Sequence, residues 1–164
     1  MALGVGASLI YPPAFFAKTD ELVALAQAEA ESGGGYVAHM RSEADHFLPA
    51  LEETITIARA TGQHAEAYHL KAAGARNWPK MAKAVARIDQ ARSEGVDIAA
   101  NMYAYTAGAT GLTAALPPWV QAGGFEASLL RMKDPTTRKR IATEMRESRS
   151  GWENMYLQAG SPDK

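Results

Sequence analysis

The alternation of apolar and polar positions divides the first 106 residues into strand-sized and helix-sized segments. Short apolar runs bounded by Gly- or Pro-containing turns predict four strands, at about residues 3–10, 36–41, 65–71 and 96–102. Between these runs, apolar residues recur at helical spacing in three segments. On the second predicted helix, from about residue 46 to 60, one apolar face is formed by Leu48, Leu51, Ile55 and Ala58.

Start and stop signals mark the ends of the three predicted helices. Thr19, which two acidic residues follow, predicts a capped start for the first helix, and Asn77 predicts the N-cap of the third. Glycines at 33–35, 62 and 95 predict where the helices end. The third helix is expected to turn four residues inward, namely Met81, Ala84, Val85 and Ile88.

Three consecutive strand–helix units predict an α/β fold with a parallel sheet and outer helices, either doubly wound or a (β/α) barrel, with right-handed connections. The alternation of predicted strands and helices ends after Thr106. There the sequence predicts a short helix over 125–132, a helix starting at Asp134-Pro135 and ending near Ser148, and a short strand over 152–157. We therefore expect two regions: 1–106, a partial (β/α) barrel, and 107–164, an inserted helical subdomain or lid.

Composition excludes several classes of protein. The 164 residues are 47% hydrophobic and 21% charged, which is typical of a globular domain. A balance of 17 basic and 18 acidic residues predicts neither a nucleic-acid nor a membrane partner. No apolar run approaches the roughly 20 residues of a membrane span, and the first residues lack the basic flank of a secretion signal, so we expect a cytoplasmic protein. Because cysteine is absent, protein ligands to a metal must be His, Asp or Glu.

Two strand ends carry a matched pair of chemical groups. His39 and Arg41 end the second predicted strand, and His69 and Lys71 end the third, thirty residues later. Side chains two residues apart share a face of a strand, and one strand–helix unit brings the chain back parallel to itself. The spacing therefore predicts that the two imidazoles are neighbours at the carboxyl ends of adjoining strands, where parallel α/β folds place their functional residues.

A pair of imidazoles at such an edge is suited to zinc, which can activate water for hydrolysis. Adjacent cations suit a metal site when an anion joins them, and the carboxylate of an acidic substrate, held by Lys71 or Arg41 and a tyrosine hydroxyl, would supply that anion. Tyr11 and Tyr103 also follow predicted strands. The alternative interpretation is that the histidines are hydrogen-bonded structural residues and the tyrosines pack. His46 and His64 are interpreted as structural.

Five blocks of the sequence resemble a known family. They are Leu9-Ile10-Tyr11-Pro12-Pro13, Ala38-His39-Met40-Arg41-Ser42-Glu43, His69-Leu70-Lys71-Ala72-Ala73-Gly74, Tyr103-Ala104-Tyr105-Thr106-Ala107-Gly108 and Leu116-Pro117-Pro118-Trp119. Together, and in this order, they resemble the N-acyl-D-amino-acid deacylases (D-aminoacylases) of the metal-dependent amidohydrolases.

The resemblance implies a TIM (β/α)8 barrel that uses Zn2+ to activate water against the amide of a small-molecule N-acyl-D-amino acid. His39 and His69 match metal ligands of the family. Lys71, Tyr103 and Tyr11 match positions that hold the substrate carboxylate. Arg41 matches a family arginine, which we group with these substrate-binding positions. Residues after Thr106 match an inserted helical segment that partly covers the active site.

Other parts of the family pattern are missing from this sequence. It has no His-x-His pair, no cysteine ligand and no catalytic aspartate in the family's setting. Because a whole barrel takes about 250 residues, we expect a central fragment, with about four strands, that has little or no activity by itself. Two alternatives stay open: a cyclic amidase or dihydroorotase-type amidohydrolase, and a non-catalytic half-barrel that self-associates through its open sheet edges.

Overall fold

The computed structural model describes residues 3–148 together with Trp152, Met155 and Tyr156. Its strands and α-helices, in chain order, are β1 (Gly4–Ser8), α1 (Thr19–Ala30), β2 (Gly35–His39), α2 (Phe47–Thr61), β3 (Ala65–Ala67), α3 (Lys80–Ser93), β4 (Ile98–Ala100), α4 (Pro118–Gln121), α5 (Phe125–Lys133) and α6 (Pro135–Ser148). Short 3-10 helices lie at Ala14–Phe16, Ala75–Asn77 and Leu112–Ala115.

The four strands form one parallel sheet in the order β1-β2-β3-β4. In the register Ala7 lies beside Ala38, Ala38 beside Ala67, and Ala67 beside Ala100. One helix lies in each crossover, and α2 packs against both α1 and α3. The predicted α/β fold with outer helices is confirmed.

The two faces of the sheet differ in burial. On the first face, Tyr36, Ala38, Ala65, Ala67 and Ile98 are at most 2% exposed and join the core formed with the helices. The second face carries Val37, Glu66 and Ala99 side by side, and all three are partly exposed. A sheet covered by helices on its outer face is how the wall of a (β/α) barrel is built.

The predicted helix ends are partly correct. Gly62 follows α2 with φ +68°, and Gly95 follows α3 with φ +85°, which is the left-handed conformation that glycine adopts without strain. On α3, Ala84 and Ile88 are buried as predicted, whereas Val85 is 48% exposed. Met81 packs partly buried against the core.

The two predicted N-caps are wrong. Lys18 occupies the N-cap of α1, and the Thr19 hydroxyl instead donates a hydrogen bond to Glu53 on α2. Pro79 occupies the N-cap of α3. Asn77 belongs to the preceding 3-10 helix, where it is buried and its amide donates to the carbonyl of Ala73. Asn77 Oδ1 also accepts a 2.7 Å hydrogen bond from Lys80 Nζ, but neither side chain binds a backbone N–H in the first turn of the helix that it was expected to cap.

All four strands are shorter than their apolar runs predict. β2 ends at His39 and β3 ends at Ala67, so Arg41, His69 and Lys71 lie beyond the strands. His69 adopts φ +42°, in the left-handed region, which ends strand alternation at that residue. The expectation that each histidine shares a strand face with the cation two residues later is therefore wrong in its geometry.

Beyond residue 106 the regular structure of the described chain consists of helices joined by loops. α4 packs against α5, and α5 packs against α6. Asp134 accepts a 2.6 Å hydrogen bond from the backbone N–H of Thr137, and Pro135 follows it as the first residue of α6, so the predicted start of this helix is confirmed. Half of the strand predicted over 152–157 lies outside the described residues, and its three described residues, Trp152, Met155 and Tyr156, are not in a strand. No helix in the described part of the chain has the length and apolarity needed to cross a membrane.

Candidate metal and substrate site

Two histidines meet at the carboxyl edge of the sheet. His39 is the last residue of β2, and His69 lies two residues after β3, the neighbouring strand. The backbone N–H of Tyr68 continues the ladder by donating to Ala38, at 2.9 Å. The imidazole centroids of His39 and His69 are 4.3 Å apart and their planes are inclined by 82°. The structure therefore brings together the two residues that the sequence predicts as metal ligands.

A buried carboxylate joins the two imidazoles. Glu43 is 8% exposed, and its Oε1 lies 3.0 Å from His69 Nδ1 and 3.7 Å from His39 Nε2. The same oxygen accepts a 2.5 Å hydrogen bond from Lys71 Nζ, which also lies 3.0 Å from His69 Nδ1. Glu43 has no role in the sequence-based prediction. The sequence shows that Glu43 lies four residues after His39, but the direction in which its side chain points depends on where β2 ends.

The electrostatics of His39 favour a neutral ring. Burial, followed by the nearby charges of His69 and Lys71, lowers the pKa of His39 from 6.5 to about 4. Its Nε2 is buried and has no hydrogen-bond partner among the described residues. An uncharged imidazole with an unpaired ring nitrogen can donate its lone pair to a metal without first losing a proton.

The donor set fits a divalent metal. One ligand atom from each of His39, Glu43 and His69 lies within 4.8 Å of the other two. Two imidazoles and a carboxylate are ligands that zinc and related borderline ions accept. Because the three residues come from the end of β2 and the two loops after β2 and β3, the sheet itself fixes their spacing.

The His69 backbone is held by a side chain that the sequence-based prediction does not include. The left-handed conformation costs a residue with a Cβ roughly 1–2 kcal/mol. Asn101, after β4, accepts a 2.6 Å hydrogen bond from the His69 N–H through Oδ1, and its amide nitrogen donates to Glu66. No sequence pattern indicates this contact, because it depends on the left-handed backbone of His69, which no local pattern marks.

Three of the predicted substrate-binding residues surround the histidines. The ring centroid of Tyr11 lies 5.3 Å from that of His39, and the Tyr103 centroid lies 6.3 Å from that of His69. Lys71 Nζ is 5.6 Å from the Tyr103 centroid. A positive charge and two phenolic rings thus flank the two histidines.

Arg41 is placed differently. Its guanidinium forms a bidentate pair with Glu53 on α2, at 3.0 and 2.9 Å. It also donates to the backbone carbonyls of Phe15 and Ala17, at 2.5 and 2.9 Å. These contacts join α2 to the 3-10 helix that follows Tyr11. A substrate-binding role for Arg41 stays a prediction, and the contacts themselves are those of a structural residue.

Comparison with known proteins shows what the chain is similar to. No family model matches the chain. Over 109 residues it is 36% identical to the N-acyl-D-glutamate deacylase and 33% identical to the D-aminoacylase of Alcaligenes xylosoxydans xylosoxydans, covering 66% of this chain and 22% of each relative. It is 42% identical over 77 residues to the N-acyl-D-aspartate deacylase of the same organism. Over about two thirds of its length, the chain is similar to N-acyl-D-amino-acid deacylases. It spans about a fifth of the length of these relatives.

Solved deacylase structures match the same part of the fold. The N-acyl-D-glutamate deacylase of Bordetella bronchiseptica, crystallised with zinc and a phosphonate mimic of the tetrahedral intermediate, has a TM-score of 0.61 and 36% identity over 63% of this chain and 22% of its own. A crystal structure of D-aminoacylase has a TM-score of 0.62 and 34% identity, over 65% of this chain and 22% of its own. A D-aminoacylase variant in complex with copper chloride matches equally well. This confirms the predicted partial barrel of the deacylase fold, and the comparisons do not favour the cyclic amidase or dihydroorotase alternative.

Proposed function

We propose that this chain supplies part of the metal and substrate site of a hydrolase that cleaves the amide bond of N-acyl-D-amino acids. The observation that carries the proposal is the contact between the His39 and His69 rings, 4.3 Å apart, at the carboxyl edge of the sheet in a chain related to deacylases. The buried Glu43 between them supports it.

Zinc is the metal we propose for this site, because it accepts two imidazoles and a carboxylate and because a related deacylase was crystallised with it. His39 and His69 would hold the ion, with Glu43 as a third donor. When bound, zinc supplies two effects to hydrolysis: it makes water a better nucleophile and it polarises the amide carbonyl. The neutral His39 keeps its lone pair available for this role at neutral pH.

Lys71, Tyr103 and Tyr11 are proposed to fix the carboxylate of the substrate. An ammonium group has three N–H donors. Lys71 uses one on Glu43, and it approaches His69 Nδ1 and the His69 carbonyl, 3.3 Å away, with the others. Rotation about the flexible side chain would redirect a donor to an incoming carboxylate. Held in this way, the substrate would present its amide to the edge where the histidines meet.

We also propose that residues 107–164 act as an inserted helical region that covers this edge. One contact supports the idea: the hydroxyls of Thr110 and Tyr11 are 2.6 Å apart, although the residues are 99 positions apart in the chain. The loop after β4 thus reaches back over the first loop of the sheet. Tyr11 is the site residue whose access this contact would govern.

The 164-residue chain alone is proposed to have little or no catalytic activity, since it spans about a fifth of the length of related enzymes. It is also proposed to self-associate. β1 and β4 are the outer strands of the described sheet, and exposed apolar side chains lie near them, namely Leu3, Trp78 and Met102. Size-exclusion chromatography tests this: a dimer or larger species is expected, and a monodisperse monomer would contradict it.

Zinc titration by calorimetry tests the metal site directly. We expect the chain to bind zinc, and we expect His39→Ala and His69→Ala each to weaken binding by more than about tenfold, because each removes one ligand. His64→Ala is the matched control, since that imidazole pairs with the exposed Asp97 at 3.0 Å, before β3 and β4 begin. Equal zinc affinity in all three variants would contradict the proposal.

A further inference from the structure

The second face of the sheet carries a chain of polar contacts that ends at His69. Glu66 lies in the middle of β3, on the partly exposed face. Its carboxylate accepts a hydrogen bond from the amide nitrogen of Asn101, and Asn101 Oδ1 accepts one from the His69 N–H at 2.6 Å. The Asn101 side chain thus links the Glu66 carboxylate to the backbone of His69, a proposed metal ligand.

We infer that Asn101, braced by Glu66, is a positioning residue that holds the backbone of His69 so that its imidazole stays beside His39. This inference rests on the proposed function as far as the metal is concerned. The contact between the two rings, however, exists without a metal and can be tested alone.

The backbone of His69 needs such a support. It has φ +42°, and it is the one residue other than glycine with a positive φ in the described part of the chain. The Leu70 N–H, one residue on, donates to the backbone carbonyl of Asn101 at 2.8 Å. That backbone bond survives any substitution at position 101. The Oδ1 contact is the one that a side-chain change removes, and it acts at the residue whose dihedral is unusual.

The chemistry of the contact selects an amide. Position 101 must accept from an N–H on one side and donate to a carboxylate on the other, and asparagine does both with two separate atoms, Oδ1 and Nδ2. Aspartate would keep the acceptor but would place a second negative charge against Glu66. The carboxylates would repel each other, and the side chain would turn away from His69 or from Glu66.

Two measurements on the 164-residue chain test the inference. The first is zinc affinity by calorimetry. The second, made in EDTA, is the nuclear Overhauser effect between the His39 and His69 rings. A substitution that only lowers stability would leave this contact intact in the molecules that remain folded. For Asn101→Asp we expect zinc affinity to fall between about 10-fold and 100-fold, the usual effect of losing a group that orients a ligand. We expect the ring contact to be lost as well.

Combining Glu66→Gln with Asn101→Asp exchanges donor and acceptor between the two positions, because the amide at position 66 can donate to the carboxylate at position 101. Both zinc affinity and ring contact should return in this double variant. Gln63→Glu is a matched control: its amide donates to Glu29 at 3.5 Å, before β3 begins, so the same type of exchange is made far from His69. This control should leave both measurements unchanged.

Three results would overturn the inference. The first is that Asn101→Asp retains both its zinc affinity and the ring contact. The second is that the double variant binds zinc as weakly as Asn101→Asp, and the third is that Gln63→Glu has the same effect as Asn101→Asp. If Asn101→Asp does not fold, Glu66→Ala removes the brace without adding charge, and an unchanged ring contact there would equally overturn it. If the unmodified chain binds no zinc, the proposed function fails, and the ring contact in EDTA still decides the role of Asn101.

Discussion

The ammonium of Lys71 lies 2.5 Å from Glu43 Oε1, closer to that oxygen than either histidine. Without a metal, the charge of the buried carboxylate is therefore balanced by a lysine. The same lysine is the proposed partner of the substrate carboxylate, so the Lys71 ammonium would contact both Glu43 and the substrate.

The Glu43→Gln substitution should destabilise the metal-free chain. A glutamine side chain would keep the shape of the glutamate, but Lys71 would lose a charge-assisted hydrogen bond, which contributes about 1.5–3 kcal/mol. Urea unfolding in EDTA measures the loss. Glu52→Gln is the control, because that carboxylate pairs with Arg87 and is 44% exposed, where an ion pair contributes little. Equal free energies of unfolding for the two variants would contradict this account of Glu43.

Acid should destabilise the metal-free chain through His39. Its pKa is about 4 in the folded protein and 6.5 ordinarily, so between these values the unfolded chain binds a proton that the folded chain does not. The stabilising effect is fully present above pH 6.5 and is lost as the pH falls towards 4. Thermal unfolding in EDTA at several pH values measures it. His39→Gln should unfold with a flatter pH dependence over this window, and an unchanged slope would show that another group is responsible.

Arg41→Lys should loosen the segment that carries Tyr11. Lysine cannot reproduce the bidentate pair with Glu53 together with the bonds to the Phe15 and Ala17 carbonyls. We expect destabilisation of about 1–2 kcal/mol and faster amide hydrogen exchange over residues 11–17. Both should appear in the absence of metal and substrate.

Arg76→Lys is the control for Arg41. Arg76 also forms a bidentate pair, with Asp45, but both side chains are about half exposed, so the loss should be small. A substrate-binding role for Arg41 makes the opposite prediction. It would leave stability and exchange unchanged and would alter affinity for N-acyl-D-amino acids.

The parts of this fold that could be predicted are those that depend on neighbours in sequence. Helical spacing located α2, Gly62 marked its end, and the thirty residues between His39 and His69 are one strand–helix unit, which brought the two rings together. The cap at Thr19 failed for the converse reason, because its hydroxyl binds Glu53 on α2, a group that comes near only after folding. The cap at Asn77 failed for a local reason, because its amide turns back to the carbonyl of Ala73, four residues earlier.

The candidate site shows the same division. His39, His69 and Lys71 could be found because their chemistry is recognisable in a short motif. Glu43 could not, because its approach to His69 depends on β2 ending at His39 and not continuing to Arg41. The contact of Asn101 with His69 was hidden for a stronger reason, since it requires a left-handed residue that no local pattern marks.

A final prediction concerns the loop that reaches Tyr11. The Tyr11 and Thr110 hydroxyls share one 2.6 Å hydrogen bond at an exposed position, so Tyr11→Phe and Thr110→Val each remove the same interaction. The double variant should lose no more stability than the larger of the single losses, which gives a coupling energy of about 0.5–1 kcal/mol. Urea unfolding of the unmodified chain, the two single variants and the double variant measures it. Strictly additive losses would mean that this bond is not formed in solution, and the proposed cover over the site would lose its support.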